Sequence, residues 1–159
     1  MYVRRAEHRD AAGIIRAHVR SIREICRSDY SEEQVQLWSG RDFKESVWHM
    51  TIDQELVWVV ADGADVYGFG HLSIQDSQVA VLEGLYLAPE ATGQGLGAEI
   101  VRAMYSELAR QSVMLVTLQS TLTAVGFYQR MGFRKVRETK VDLGGLDLPC
   151  VDMENRFPC

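Results

Sequence analysis

The chain has 159 residues, 47% of them apolar and 25% charged, which suits one compact domain with a single core and leaves little room for a second. A formal net charge of −5 argues against nucleic acid as the default partner, because gripping a phosphate backbone needs a concentrated basic face. No run approaches the roughly 18 apolar residues of a membrane span, the N-terminus has no apolar signal core, and Cys26, Cys150 and Cys159 have no metal-ligand spacing. A cytoplasmic protein without a membrane segment or a metal is expected.

Tyr2 to Ala6 reads as a short strand. A helix from about Arg9 to Cys26 follows, with Ile15, Val19, Ile22 and Cys26 as its apolar stripe. Arg16, Arg20, Arg23 and Arg27 line another side of it, as a solvated face or as an anion-attracting rim. Ser31 ahead of Glu32-Glu33-Gln34 is an N-cap signal for a second helix carrying Val35, Leu37 and Trp38. Residues 40 to 54 fit either a helical turn or a loop. Leu56 to Ala61 and Val66 to Ile74 read as strands around the hairpin signal Asp62-Gly63-Ala64-Asp65, and Val79 to Leu87 as a third strand.

Leu96, Ile100, Val101, Met104 and Leu108 mark a helix that ends near Arg110, and Val113 to Leu118 is the continuous apolar run of a central parallel strand. Leu122 to Met131 forms a helix stopped by Gly132, and strands at about Phe133 to Leu143 and Leu148 to Glu154 meet at Gly144-Gly145. The order implies a mixed α/β fold, an antiparallel meander leading into one strand-helix-strand crossover. With no repeat or linker, residues 1–159 read as one domain.

The most informative stretch is Leu85-Tyr86-Leu87 running through Pro89 into Thr92-Gly93-Gln94-Gly95-Leu96-Gly97-Ala98, an apolar strand that meets a glycine-rich turn opening a helix. Such a turn lets the backbone approach an anion, and the unpaired N–H groups of the first helical turn point at it. A phosphorylated cofactor is therefore expected. A kinase-type P-loop is excluded, since no Gly-Lys followed by Ser or Thr opens the helix. Gly93-x-Gly95-x-x-Ala98 satisfies the dinucleotide fingerprint, yet the strand ending at Leu118 is followed by Gln119 and Ser120 where a ribose-binding acid belongs.

A third reading covers more of the chain. The strand, Pro89, the loop Thr92-Gly-Gln-Gly-Leu-Gly97, the helix and next strand, and then Ala124-Val-Gly-Phe127-Tyr128 ending in Gly132-Phe133 resemble the GCN5-related N-acetyltransferase (GNAT) family over roughly residues 2 to 155. The resemblance implies a mostly antiparallel central sheet of six to seven strands flanked by about four helices. It also implies acetyl-coenzyme A as acetyl donor, no metal, and a small-molecule or protein amine as acceptor, received by direct transfer in a ternary complex; a homodimer fits it too. Leu85, Tyr86, Leu87, Thr92, Gly93, Gln94, Gly95, Leu96, Gly97, Ala98, Thr121 and Phe127 would hold the coenzyme, main-chain N–H groups of Gln94, Gly95, Gly97 and Ala98 taking the phosphates.

Two residues depart from the pattern: Thr92 stands where the family carries Arg or Gln, and Thr121 where it carries Asn. Thr92 removes a side chain that braces loop or phosphate, while Thr121 keeps the capacity to cap the helix or bond an amide over a shorter reach. A non-catalytic acyl-coenzyme-binding module is the alternative these departures leave open.

The catalytic roles follow from the resemblance together with the chemistry of two residues. Glu83 lies in an otherwise apolar strand, where desolvation would raise its pKa toward the range of a useful base, unless it serves a structural network. The family places an amine-deprotonating Glu there. Tyr128 matches the family's proton donor to the departing thiolate, its reference pKa of about 10 lying above the thiol's about 8.5. Gly84 is consistent with a bulge that frees an oxyanion-binding N–H at Leu85 to Leu87. The cysteines are expected to lie away from both signatures, which disfavours a covalent route. His18, Tyr30, Trp38, His71 and Tyr86 are candidate linings of the acceptor pocket.

Overall fold

The computed structural model describes residues 1–76 and 78–156, so Cys159 lies outside the described residues. The elements run β1 (Tyr2–Arg5), α1 (Ala11–Glu24), α2 (Glu32–Ser39), α3 (Glu45–Gln54), β2 (Leu56–Asp62), β3 (Asp65–Ile74), β4 (Val79–Leu87), α4 (Leu96–Arg110), β5 (Leu115–Thr121), α5 (Val125–Arg130), β6 (Arg134–Asp142) and β7 (Asp147–Arg156). The seven strands form one sheet in the order β1-β2-β3-β4-β5-β7-β6, and β4 with β5 is its parallel pair. No helix among the described residues is long and apolar enough to cross a membrane.

The two faces of the sheet are covered by different helices. On one, Ile100, Met104 and Leu108 of α4 pack on Val60, Leu72, Ala80, Leu82, Val116 and Leu118, together with Tyr128 of α5. On the other, Ile14 of α1 meets Val57, Val59, Ala61 and Phe69, while Val35 and Trp38 of α2 close over Ile22, Tyr30 and Leu148. The buried residues of α1 are Ala11, Gly13, Ile14, Ala17, Ser21 and Ile22, whereas Ile15 and Val19 of the expected stripe are only half-buried. Adjacent isoleucines make both stripes apolar, so helical period alone does not choose between them. The close approach of α1 to β3 does, since a Cβ on Gly13 would stand 2.7 Å from the Cβ of Val66.

Residues 45–54 form α3, and Ser31 caps α2 as expected, its hydroxyl accepting from the Gln34 N–H at 3.1 Å while the Gln34 side chain returns to the Ser31 N–H.

Two irregularities in β4 create the site. Its pairing with β3 steps from Leu72↔Leu82 to His71↔Gly84, leaving Glu83 unopposed as a bulge. One extra residue reverses the alternation: Ala80 and Leu82 face α4 before it, and Leu85 and Leu87 do so after it. Pairing with β5 runs from Val79↔Leu115 to Leu82↔Leu118 and stops, although β4 continues to Leu87 and β5 to Thr121. The two strands splay, and backbone groups of Leu85–Leu87 that would have met β5 are left for a ligand.

Gly70 of β3 lets α4 sit flat on the sheet. A Cβ there would stand 2.4 Å from Ile100 Cγ2 and 2.7 Å from Met104 Cε. Gly70→Ala should therefore destabilise the fold by about 1 to 2 kcal/mol through overpacking, read as a lowered urea midpoint with unchanged slope.

Candidate active site

The glycine turn leads into α4 as the sequence implies. Gly93 and Gly95 adopt φ values of +73° and +77°, a left-handed conformation that L side chains rarely take, and no atom lies within 4 Å of where their Cβ atoms would be. Gly95 is the N-cap of α4, and the first intrahelical bond there is Glu99 N–H to the Gly95 carbonyl at 3.0 Å. The N–H groups of Leu96, Gly97 and Ala98 are thus the free donors of the first turn, with the positive end of the helix dipole behind them. Thr92 turns inward on its own loop, its hydroxyl donating to the Pro89 carbonyl at 2.7 Å, and the Gln94 amide donates to the Glu90 carbonyl at 2.6 Å.

A groove of about 570 Å³ runs from this turn between α1 and α5. Leu85, Tyr86, Leu87, Thr92, Gly93, Gly95, Leu96, Gly97, Ala98, Thr121 and Phe127 line it, so the structure gathers these expected coenzyme residues in one place; Gln94 stays outside the lining. The Phe127 ring lies against α4, 3.3 Å from where a Cβ of Gly97 would be, which explains the glycine at the second position of the helix.

The sequence reading missed Ser21, Ile25, Cys26, Thr123 and Arg130 in this lining. Cys26 corrects the expectation that no cysteine approaches the signatures: it stands beside Thr123 in the groove, brought there by the fold of α1 over the sheet. Burial pushes its thiol up to about 11, with the neighbouring Thr123 hydroxyl acting in the opposite direction. It is consequently protonated and a poor nucleophile at neutral pH.

Of the two roles open to Thr121, capping the helix or bonding an amide, the described residues show no sign of the first. The N–H of Leu122 donates instead to the Tyr30 hydroxyl at 2.9 Å, and that hydroxyl donates to the Pro149 carbonyl at 2.6 Å. A side chain from the segment between α1 and α2 thus pins the junction of β5 and α5 to β7.

Glu83 is not desolvated as expected. The alternation that turns Ala80 and Leu82 toward α4 puts Glu83 on the opposite face, in a part that α1 and α2 leave open, where it is exposed and accepts a hydrogen bond from the Ser73 hydroxyl at 2.8 Å. Its surroundings form a second groove, of about 480 Å³, with Thr117, Gln119, Arg137, Asp152 and Glu154.

Between the grooves, at the splay, lies a crevice of about 10 Å³, close to the minimum volume for one water. It shares Leu85, Tyr86, Thr121 and Ala124 with the first groove and Leu82 and Gln119 with the second. Tyr128 completes its wall, 4% exposed, its ring edge-on to Phe127 and Phe133. Burial raises the Tyr128 phenol well above its ordinary value of 10.0, and among the described residues its hydroxyl has no hydrogen-bond partner. Tyr86 also lines the crevice, and its phenol is raised by burial and by the proximity of Tyr128.

His18 and Trp38 lie with Tyr86 in one aromatic cluster, and His71 stands on the bulge side of β3 in a tight pair with Glu55.

Comparison with known proteins agrees with this anatomy. The model of the acetyltransferase (GNAT) domain matches residues 26–156. An uncharacterized N-acetyltransferase of Escherichia coli K12, YafP, is 25% identical over 127 residues, covering 80% of this chain and 77% of its own. The crystal structure described as a GCN5-related N-acetyltransferase, aminotransferase class-II, from Rhodopseudomonas palustris superposes with a TM-score of 0.85 at 21% identity, covering 98% of this chain and 94% of that one. PaiA N-acetyltransferase of Thermoplasma acidophilum, solved with coenzyme A, gives 0.78 at 22% identity with 98% of each chain covered. The chain belongs to the GNAT acetyltransferase family and is an acyltransferase by class.

Proposed function

We propose that the protein transfers the acetyl group of acetyl-coenzyme A to a primary amine of a small molecule or protein, directly and within a ternary complex. The observation that carries this reading is the crevice at the β4/β5 splay, whose walls belong to both grooves. A donor laid in the first groove and an acceptor in the second would meet there without an acyl-enzyme. Coenzyme A is bound by the PaiA relative, and the first groove suits it: free N–H groups at the start of α4 for phosphate, and unpaired edge groups of Leu85–Leu87 for the amides of its arm.

In this reading the Leu85–Leu87 edge also offers an N–H to the oxyanion that develops on the acetyl carbonyl. Glu83, held by Ser73 and open to solvent, takes the proton of the ammonium acceptor directly or through water. Tyr128 stays protonated, so its O–H stabilises the departing thiolate as a hydrogen-bond donor, and the sulfur takes its proton from solvent after it has left.

The test combines binding with turnover. Acetyl-coenzyme A at about 100 times its Kd should raise Tm by several degrees through mass action, NAD(P)H should not, and an amine panel should release free thiol with at least one acceptor. A shift with NAD(P)H alone would overturn the reading, and thiol release in the absence of any amine would remove the ternary complex from it.

A further inference from the structure

Among the described residues, Arg130 is the sole charged side chain in the lining of the first groove. We infer that it supplies the positive charge that grips a phosphate of coenzyme A, a charge that Thr92 in the glycine turn does not provide. This rests on the coenzyme reading above.

The glycine turn offers dipoles but no cation. The Thr92 hydroxyl is engaged with Pro89. Arg20, the arginine that pairs with Glu90 beside the turn, also bonds Glu24 and is neutralised by the two carboxylates. Arg130 has no hydrogen bond or ion pair among the described residues, and it is exposed. A cation in the last turn of α5 would be explained by the helix dipole if it reached forward to the terminal carbonyls. It does the reverse. Its Nη1 lies 3.5 Å from where a Cβ of Gly126 would be, so the guanidinium runs back along α5 toward the groove wall made by Phe127. Gly126 leaves the surface of α5 clear for it. A delocalised guanidinium with a forked set of donors suits phosphate oxygens across a range of angles.

Two phosphate sources share this chemistry, the pyrophosphate and the ribose 3′-phosphate. Calorimetric titration of the full chain with coenzyme A and with dephospho-coenzyme A separates them. Arg130→Gln should weaken coenzyme A binding about 10-fold at low salt and flatten its salt dependence, Arg130→Glu should weaken it further, and Arg130→Lys should restore most of the loss. If the Gln variant loses affinity for coenzyme A and none for dephospho-coenzyme A, the partner is the 3′-phosphate. Equal losses for both place it on the pyrophosphate. Coenzyme A affinity unchanged in the Gln and Glu variants overturns the inference and leaves the coenzyme reading intact. Failure of the wild-type protein to bind coenzyme A overturns both. Equal losses in the Gln and Lys variants, with an unaltered salt dependence, assign Arg130 a packing role and also overturn it.

Discussion

Tyr128→Phe is expected to lower kcat about 100-fold and to leave the affinity for acetyl-coenzyme A within about two-fold, since proton donation by a positioned side chain contributes typically 10²- to 10⁴-fold. The ring keeps its edge contacts with Phe127 and Phe133, so the substitution deletes a hydroxyl and little packing. Tyr128 walls the crevice where the grooves meet, and its hydroxyl has no partner among the described residues to release. Burial holds its proton, so the loss in rate should be a constant factor across neutral and mildly alkaline pH. Tyr86 lines the same crevice and provides the control. Full activity in Tyr128→Phe together with a 100-fold loss in Tyr86→Phe, measured by thiol release at saturating donor, would move the donor role to Tyr86.

The parts of this site that rest on backbone geometry are readable in the amino-acid sequence. Gly93 and Gly95 occupy positive φ, and Gly97 sits under a ring, three local demands that residue type reports directly. The helix of Leu96, Ile100, Met104 and Leu108 is equally plain, because every apolar residue of the period is buried. What the sequence conceals is parity and partnership. Glu83 looks like a carboxylate trapped in an apolar strand; it lies on the face opposite Leu82, where the helices leave the sheet open, and is held by Ser73, ten positions earlier. Thr121 looks like a cap, yet its side chain makes no capping bond among the described residues, and the junction is tied down by Tyr30, 92 positions from Leu122, whose hydroxyl accepts from the Leu122 N–H. Cys26 and Arg130 reach the groove by the folding of α1 and the direction of one side chain, neither of which leaves a local pattern.

His18 should make the fold acid-sensitive well above the pH at which carboxylates titrate. It projects from α1 into Phe43, Phe69 and Tyr86, with ring centroids 5.1, 5.5 and 4.2 Å away, and its buried Nε2 has no hydrogen-bond partner among the described residues. Burial, reinforced by the charge of Arg41, pushes its pKa from 6.5 down to about 4. The folded state therefore prefers neutral His18, and this contribution to stability is fully present above pH 6.5. As pH falls below that value the unfolded chain takes up a proton that the folded chain refuses, and stability declines until about pH 4, where the folded state protonates too. At about 1.4 kcal/mol per pH unit the loss amounts to about 3 kcal/mol, a large fraction of a typical domain's stability. Asp10 acts in a lower window: burial raises its pKa, but the hydrogen bonds from Arg4 and from the Glu7 N–H, together with the charges of Arg4 and Arg9, outweigh this and hold it below 3.8, so its contribution fades only in stronger acid. Denaturant unfolding of the wild type and of His18→Phe between pH 7.5 and 4 isolates the effect from the other histidines. The stability difference between the two proteins should move by about 3 kcal/mol in favour of the variant as the solution is acidified. A difference that stays constant across that range would show that His18 takes up its proton as readily in the fold as outside it.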